Sequence, residues 1–318
     1  MKKNYNAVFV AVSGLLTVLL AGTTFAQAPA DAFNPNNRFL TLEPPEGLPV
    51  IPVMEGWYPN ADGSVTISFG YHNRNADKEI DIPLGPNNYL EPARFDGMQP
   101  THFMGERDTG VFTVTLPKEM ADDDVWWYLK TGDNAILKVP GRGGAGAYEL
   151  DRNPRPQGSV SPMAWFDNGP KGSGPDGPVN TRVITAKVGE PVTLTVNVQD
   201  TSVRDTSDPR YAKPLSVHSQ WFEHQGPGKV TFTKHESTID PPPPPERPNR
   251  PAAFRRPAPG PSEITLPTTE GVVNVYAAFS APGEYIVRLR IDNWNSPDSS
   301  EGNQCCWTNA YQRVTVSP

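Results

Sequence analysis

Proline limits the architecture of this chain more than any other residue. Thirty-seven prolines and 27 glycines stand among 318 residues, and each proline removes a backbone donor and crowds the preceding helical turn. A helical bundle is excluded on that ground. What remains compatible is a set of short strands joined by turns, because proline and glycine supply the backbone angles that turns require. The length accommodates one large domain or two of ordinary size, and the recurring Pro, Gly, Asn and Asp clusters favour two.

Lys2 and Lys3 precede an apolar run from Ala7 to Leu20, and Thr24-Phe25-Ala26 offers a small-residue cleavage point before Gln27. This is the pattern of a secretory signal peptide over residues 1–26. The run falls short of the roughly 20 residues needed to span a bilayer. No cysteine follows the Leu-Ala-Gly stretch to take a lipid. The expected product is acidic, extracytoplasmic (periplasmic or secreted), and without a membrane span after signal cleavage. The formal net charge of −7 argues against nucleic acid as a partner, since phosphate neutralisation needs clustered lysine and arginine.

Residues 27–46 are rich in Pro and Asn and read as an extended leader. Period-two alternation then begins, most clearly in Val65-Thr66-Ile67-Ser68-Phe69-Gly70-Tyr71. Further strands are expected at Glu79 to Ile82, Gly110 to Leu116, Val125 to Lys130 and Ala135 to Val139. Residues 47–140 therefore read as a first β-sandwich. Residues 141–178 have the composition of a Gly/Pro-rich linker. A second strand series occupies 179–318, with Val192 to Val198, Val217 to Phe222, Val230 to Thr233, Val272 to Phe279, Tyr285 to Ile291 and Tyr311 to Val316 as its clearest members. A Pro-rich insertion at 239–262 interrupts it; its Phe254 and Arg247, Arg250, Arg255 and Arg256 form the one locally basic segment.

In this second series Trp221, Gly226-Pro227-Gly228, Val230-Thr231-Phe232 and Ala278-Phe279-Ser280-Ala281-Pro282-Gly283-Glu284-Tyr285 resemble the polycystic-kidney-disease (PKD) and related immunoglobulin-like repeats of secreted bacterial proteins. The first series, through Gly56-Trp57-Tyr58, Phe69-Gly70-Tyr71-His72 and Gln99-Pro100-Thr101-His102-Phe103, resembles an uncharacterised exported β-sandwich module. These resemblances imply an all-β protein of two immunoglobulin-like antiparallel β-sandwich domains in tandem. They also imply a recognition or scaffolding role.

Catalytic motifs are absent: there is no Gly-x-Ser-x-Gly, no His-Glu-x-x-His and no phosphate-binding glycine loop. The five histidines show no zinc-ligand spacing, and His218 and His224 would lie about 20 Å apart along one strand. His224 and His235 could meet only across a hairpin. Calcium is the one metal the acidic loops offer, through Asp122, Asp123 and Asp124 before one strand and Asp292 and Asp298 after another. The ordinary reading of both is a charged turn, and no cofactor is expected.

Trp126 and Trp127 are adjacent on a strand and must point to opposite sides. One belongs to the core, and the other begins a ligand surface. Trp294 and Trp307 are further ligand-binding candidates, placed beside Cys305-Cys306 in a loop at the sandwich end. In an oxidising compartment these neighbouring cysteines have three fates: a vicinal disulfide, a bond to another chain, or two free thiols. The vicinal ring is the expected one. The protein is thus expected to be a non-catalytic envelope recognition or scaffolding module, its partner an envelope protein or polysaccharide. The alternatives are an extracytoplasmic hydrolase or metal-dependent enzyme and a carbohydrate-binding protein.

Overall fold

The two prolines of the segment Val50-Ile51-Pro52-Val53-Met54-Glu55-Gly56-Trp57-Tyr58-Pro59 disguise a strand that opens the first domain. A computed structural model of the chain describes residues 47–75, 78–150, 158–209, 211–213, 215–239, 259–293 and 307–318. The signal segment, the leader, most of the Pro-rich insertion, Trp294, Asp298, Cys305 and Cys306 lie outside these residues. The described residues contain strands and short 3-10 turns but no α-helix, so the fold is all-β. No helix among them is long and apolar enough to cross a membrane.

The first domain contains β1 (Val50–Pro59), β2 (Val65–Asn73), β3 (Ile80–Asp81), β4 (Asn88–Glu91), β5 (His102–Phe103), β6 (Glu106–Leu116), β7 (Val125–Leu129) and β8 (Leu137–Gly141). They form the sheets β1-β2-β6 and β4-β7-β8, with a small β3-β5 pair. Pro52 is tolerated because β1 is an edge strand, where a missing ladder donor costs little. Between the sheets Phe69, Phe103, Phe112 and Trp127 pack edge to face and offset, the arrangement favoured by the ring quadrupole.

The second domain contains β9 (Met163–Trp165), β10 (Gly172–Ser173), β11 (Ile184–Lys187), β12 (Val192–Gln199), β13 (Val217–Gln225), β14 (Val230–Lys234), β15 (Glu263–Leu266), β16 (Glu270–Phe279), β17 (Gly283–Asp292) and β18 (Trp307–Ser317). Two five-stranded sheets, β10-β9-β12-β16-β14 and β11-β18-β17-β13-β15, enclose one core that includes Leu194, Val196, Trp221, Val275, Val287 and Leu289. All pairings are antiparallel except β11 with β18, which is parallel. Pro282-Gly283 turns the chain into β17 with Gly283 at φ +142°, and Tyr285, Val287 and Leu289 then face the core.

β9 and β10 fall within 141–178, the stretch whose composition reads as a linker. Glycine and proline make the turns around them, while the short segment Met163–Trp165 still pairs with β12 and buries Ala164. An average over the whole of 141–178 hides a three-residue strand. Upstream, the Leu150 N–H donates to the Trp57 carbonyl at 2.7 Å, so the first domain's structure also runs past residue 140.

The two domains belong to one compact unit, Pro44–Pro318. The face of β13, β17 and β18 turned away from the second core is covered rather than solvated: Arg288 and Trp307 are each 1% exposed, and Asn309 and Tyr311 are also buried. The first domain supplies the cover. Arg288 pairs with Asp108 of β6 and stacks its guanidinium 4.5 Å from the Phe222 ring centre. The Asn309 amide donates to the Gly110 carbonyl at 2.6 Å, and the Tyr311 hydroxyl to the Val111 carbonyl at 2.8 Å. Gly110 adopts φ +60°, and a Cβ there would lie 2.4 Å from the Trp307 ring. Only glycine meets both conditions.

His224 belongs to the same contact. Strand β13 shifts register between Glu223 and Gln225, and His224 Nε2 donates to the Met98 carbonyl at 2.8 Å. Burial, with the Arg288 charge adding to it, pulls its pKa down to about 3, so the ring is neutral when it donates. Replacing Asp108 by Asn should leave Arg288 buried without its counter-charge and lower stability by about 3–5 kcal/mol. Urea unfolding of the full chain measures this.

Glu55 gives the contact a pH dependence. One carboxylate oxygen accepts from Arg107 at 2.8 Å, while the other is buried without a partner. Burial outweighs the lowering effect of Arg107 and pushes the pKa up to about 7. Between about pH 4.5 and 7 the folded carboxyl keeps a proton that the unfolded one has lost. This stability is therefore complete below pH 4.5 and gone above pH 7, a swing on the order of 3 kcal/mol. Melting temperatures of Glu55→Gln should rise relative to the parent protein between pH 5 and pH 8.

Candidate functional site

The sheet β4-β7-β8 carries alternation with opposite chemistry on its two faces. Val125, Trp127 and Leu129 point inward and are buried, whereas Trp126 and Tyr128 are half-buried on the outer face. On β4, Asn88 and Leu90 point inward, and Tyr89 and Glu91 outward. Register places Tyr89 opposite Tyr128, Glu91 opposite Trp126, Tyr128 opposite Lys138 and Trp126 opposite Pro140. Three aromatic side chains from two neighbouring strands thus share one outward face.

The rings are ordered. Tyr89 and Tyr128 stack with centroids 4.6 Å apart and planes 4° from parallel. Lys138 Nζ lies 4.5 Å from the Trp126 ring centre and 5.4 Å from that of Tyr128, within cation–π range of both. Glu91, hydrogen-bonded to the Tyr128 hydroxyl, raises the phenol's pKa above its ordinary value. The face therefore carries three ordered rings, two of them stacked on each other, with the exposed Lys138 over Trp126 and Tyr128 and the exposed Glu91 at its border.

Asn88 anchors this sheet from beneath. Its side-chain oxygen accepts from Trp127 Nε1 at 3.0 Å, and its amide donates to the carbonyls of Ile82 at 3.0 Å and Pro100 at 2.7 Å. Trp127, one of the sequence-derived ligand candidates, is fully buried in the first core. Its neighbour Trp126 is the one that reaches the outer face.

The remaining candidates are dispersed. Trp307 is a domain-contact residue whose ring packs on Gly110. Asp124 holds the Arg142 guanidinium through two bonds of 2.6 Å, which commits both of its oxygens, while Asp122 and Asp123 are exposed. Asp292 is buried 3.6 Å from His218 Nδ1 and 3.7 Å from Arg290 Nε, so the Arg290 guanidinium already stands beside it. His224 lies in the domain contact and His235 packs on Tyr276, so the two do not form a pair. Donors that do converge are Asp81, His102 and Glu223. Tyr89 escaped the sequence reading because β4 spans only four residues, beside Pro92 and a Gly-Pro-Asn turn that mask its alternation.

No family model matches the chain, and no curated protein matches it. Among solved structures it is similar to the D0-D1 domain of intimin, at 13% identity and a TM-score of 0.24, over 83% of this chain and 97% of that one. A similarity of that size bears on neither mechanism nor ligand.

Asn88→Ala should orphan the Trp127 indole N–H and two buried carbonyls at once. A loss of about 3 kcal/mol is expected, read from thermal and urea unfolding.

Proposed function

We propose that this chain is an exported, non-catalytic recognition protein of the cell envelope and that the outer face of β4, β7 and β8 binds polysaccharide. The observation that carries the reading is the shared outward placement of Tyr89, Trp126 and Tyr128 on a sheet braced by Asn88 and Trp127. A pyranose ring presents axial C–H groups of slight positive charge, which match the negative face of an aromatic ring, and the exposed Lys138 can swing off Trp126 to yield that face to a sugar. Lys138 and Glu91 stand beside those rings as a donor and an acceptor for sugar hydroxyls. A preformed platform also spends little side-chain entropy on binding.

The export pattern at Lys2, Lys3 and Thr24-Phe25-Ala26 supports a location where such polymers are met. The resemblance of residues 180–318 to immunoglobulin-like repeats supports a scaffold that presents the first domain. Neither bears on which sugar is bound.

Affinity electrophoresis of the full chain through gels containing soluble β-glucan, xylan or mannan tests the proposal. Retardation by at least one polymer is expected. Trp126→Ala and Tyr128→Ala should each weaken it by at least tenfold, with little change in melting temperature because both side chains lie on the outer face. Retardation that persists unchanged in both variants, or none with any polymer, would overturn the assignment of this face.

A further inference from the structure

Asp81 and His102 are direct cross-strand partners in the β3-β5 pair, with Asp81 Oδ1 2.8 Å from His102 Nδ1. His102 is 8% exposed and is followed by Phe103, whose ring sits in the first core. Glu223 reaches the same place from β13 of the second domain, at the register shift of that strand. One donor atom from each of the three residues lies within 4.8 Å of the others.

Two features separate this cluster from an ordinary charged surface. Its histidine is buried while its carboxylates come from different domains, so the grouping depends on the domain contact rather than on one acidic loop. Among the described residues, neither Asp81 nor Glu223 is ion-paired with a lysine or arginine; the nearby Lys229 pairs instead with Glu79 at 3.2 Å. Glu223 Oε2 accepts from the Val230 N–H at 2.8 Å, which orients the carboxylate and leaves its other oxygen for a ligand. Such a hydrogen bond to a ligating group is the usual support of a metal site.

We propose that Asp81, His102 and Glu223 form a site for a divalent first-row cation of the zinc type, which ties the first domain to the second. One imidazole and two carboxylates form a donor set suited to zinc, whose bonds to nitrogen and oxygen are about 2.0–2.2 Å. Tetrahedral bonds of that length separate donors by about 3.4 Å. Asp81, whose side chain is 76% exposed, has the freedom to open from its present 2.8 Å approach to His102. Calcium is disfavoured because it takes six to eight oxygen ligands and has little use for imidazole. Three protein ligands leave a fourth position for water. The consequence is mechanical: a cation that needs both domains binds only the docked arrangement and stabilises it by mass action.

The test uses the full chain, stripped of metal with chelator and then dialysed, with Cys305 and Cys306 reduced and alkylated so that thiols cannot contribute. Titration with zinc chloride by calorimetry should show one equivalent bound. Zinc at a hundredfold excess over its Kd should raise the melting temperature by about 5 °C, and millimolar calcium should not compete. Asp81→Asn and Glu223→Gln should each weaken zinc binding by at least tenfold. Both keep a side-chain acceptor, the first at an exposed position and the second for the Val230 N–H, so folding should survive in at least one. Absence of zinc binding, or binding at parental strength in a folded variant of either kind, would overturn the proposal.

Discussion

The Arg288–Asp108 pair sets the terms for the rest of the molecule. An arginine on the outer face of a sandwich is ordinarily solvated, and burying its charge is costly unless a carboxylate and hydrogen bonds surround it. Here Asp108 of the first domain supplies the carboxylate, Asn309 a side-chain oxygen 3.3 Å from Nη1, and Phe222 a ring face. Once that charge is buried, the surrounding surface must be dry as well. Trp307, Tyr311 and His224 then find partners on Gly110, Val111 and Met98. Strands β13, β17 and β18 are consequently apolar toward their own core and sealed, with polar partners, toward the neighbouring domain.

Much of the strand content was legible because period-two alternation is a direct consequence of pleating. The Val65, Val192 and Tyr285 segments announced themselves in this way, and the Pro282-Gly283 turn fixed which residues of β17 face the core. The elements that escaped were those in which alternation is short or interrupted. β1 carries two prolines, β4 spans four residues, and β9 hides in a glycine-rich stretch. Residues 307–310, the start of β18 ahead of the expected Tyr311 to Val316 strand, escaped for a different reason. They are buried on both faces, and a strand with no solvated side shows no period to read.

The candidate residues divide along the same line. That Trp126 and Trp127 must part company follows from strand geometry alone, and the structure places one in the core and the other on the outer face. Tyr89 and Lys138 join Trp126 only through register, which the sequence does not print. Asp81, His102 and Glu223 lie still further beyond sequence reach, since their approach depends on two domains meeting. Asp124 and Asp292 show what sequence leaves out in the other direction. A carboxylate at a strand end invites a cation, and the chain's own Arg142 stands beside the first and Arg290 beside the second.

The seal over Gly110 has a consequence for the order of events during synthesis. Asp108, Gly110 and Val111 leave the ribosome about 180–200 residues before Arg288, Asn309 and Tyr311. The first domain therefore carries an unfinished surface through translation until β17 and β18 of the second domain arrive. Closing so long a loop adds little to the equilibrium cost, because the entropy grows only with the logarithm of length. It weighs instead on time: contacts this distant in sequence form late, and the waiting surface is where a holding chaperone would have most to protect.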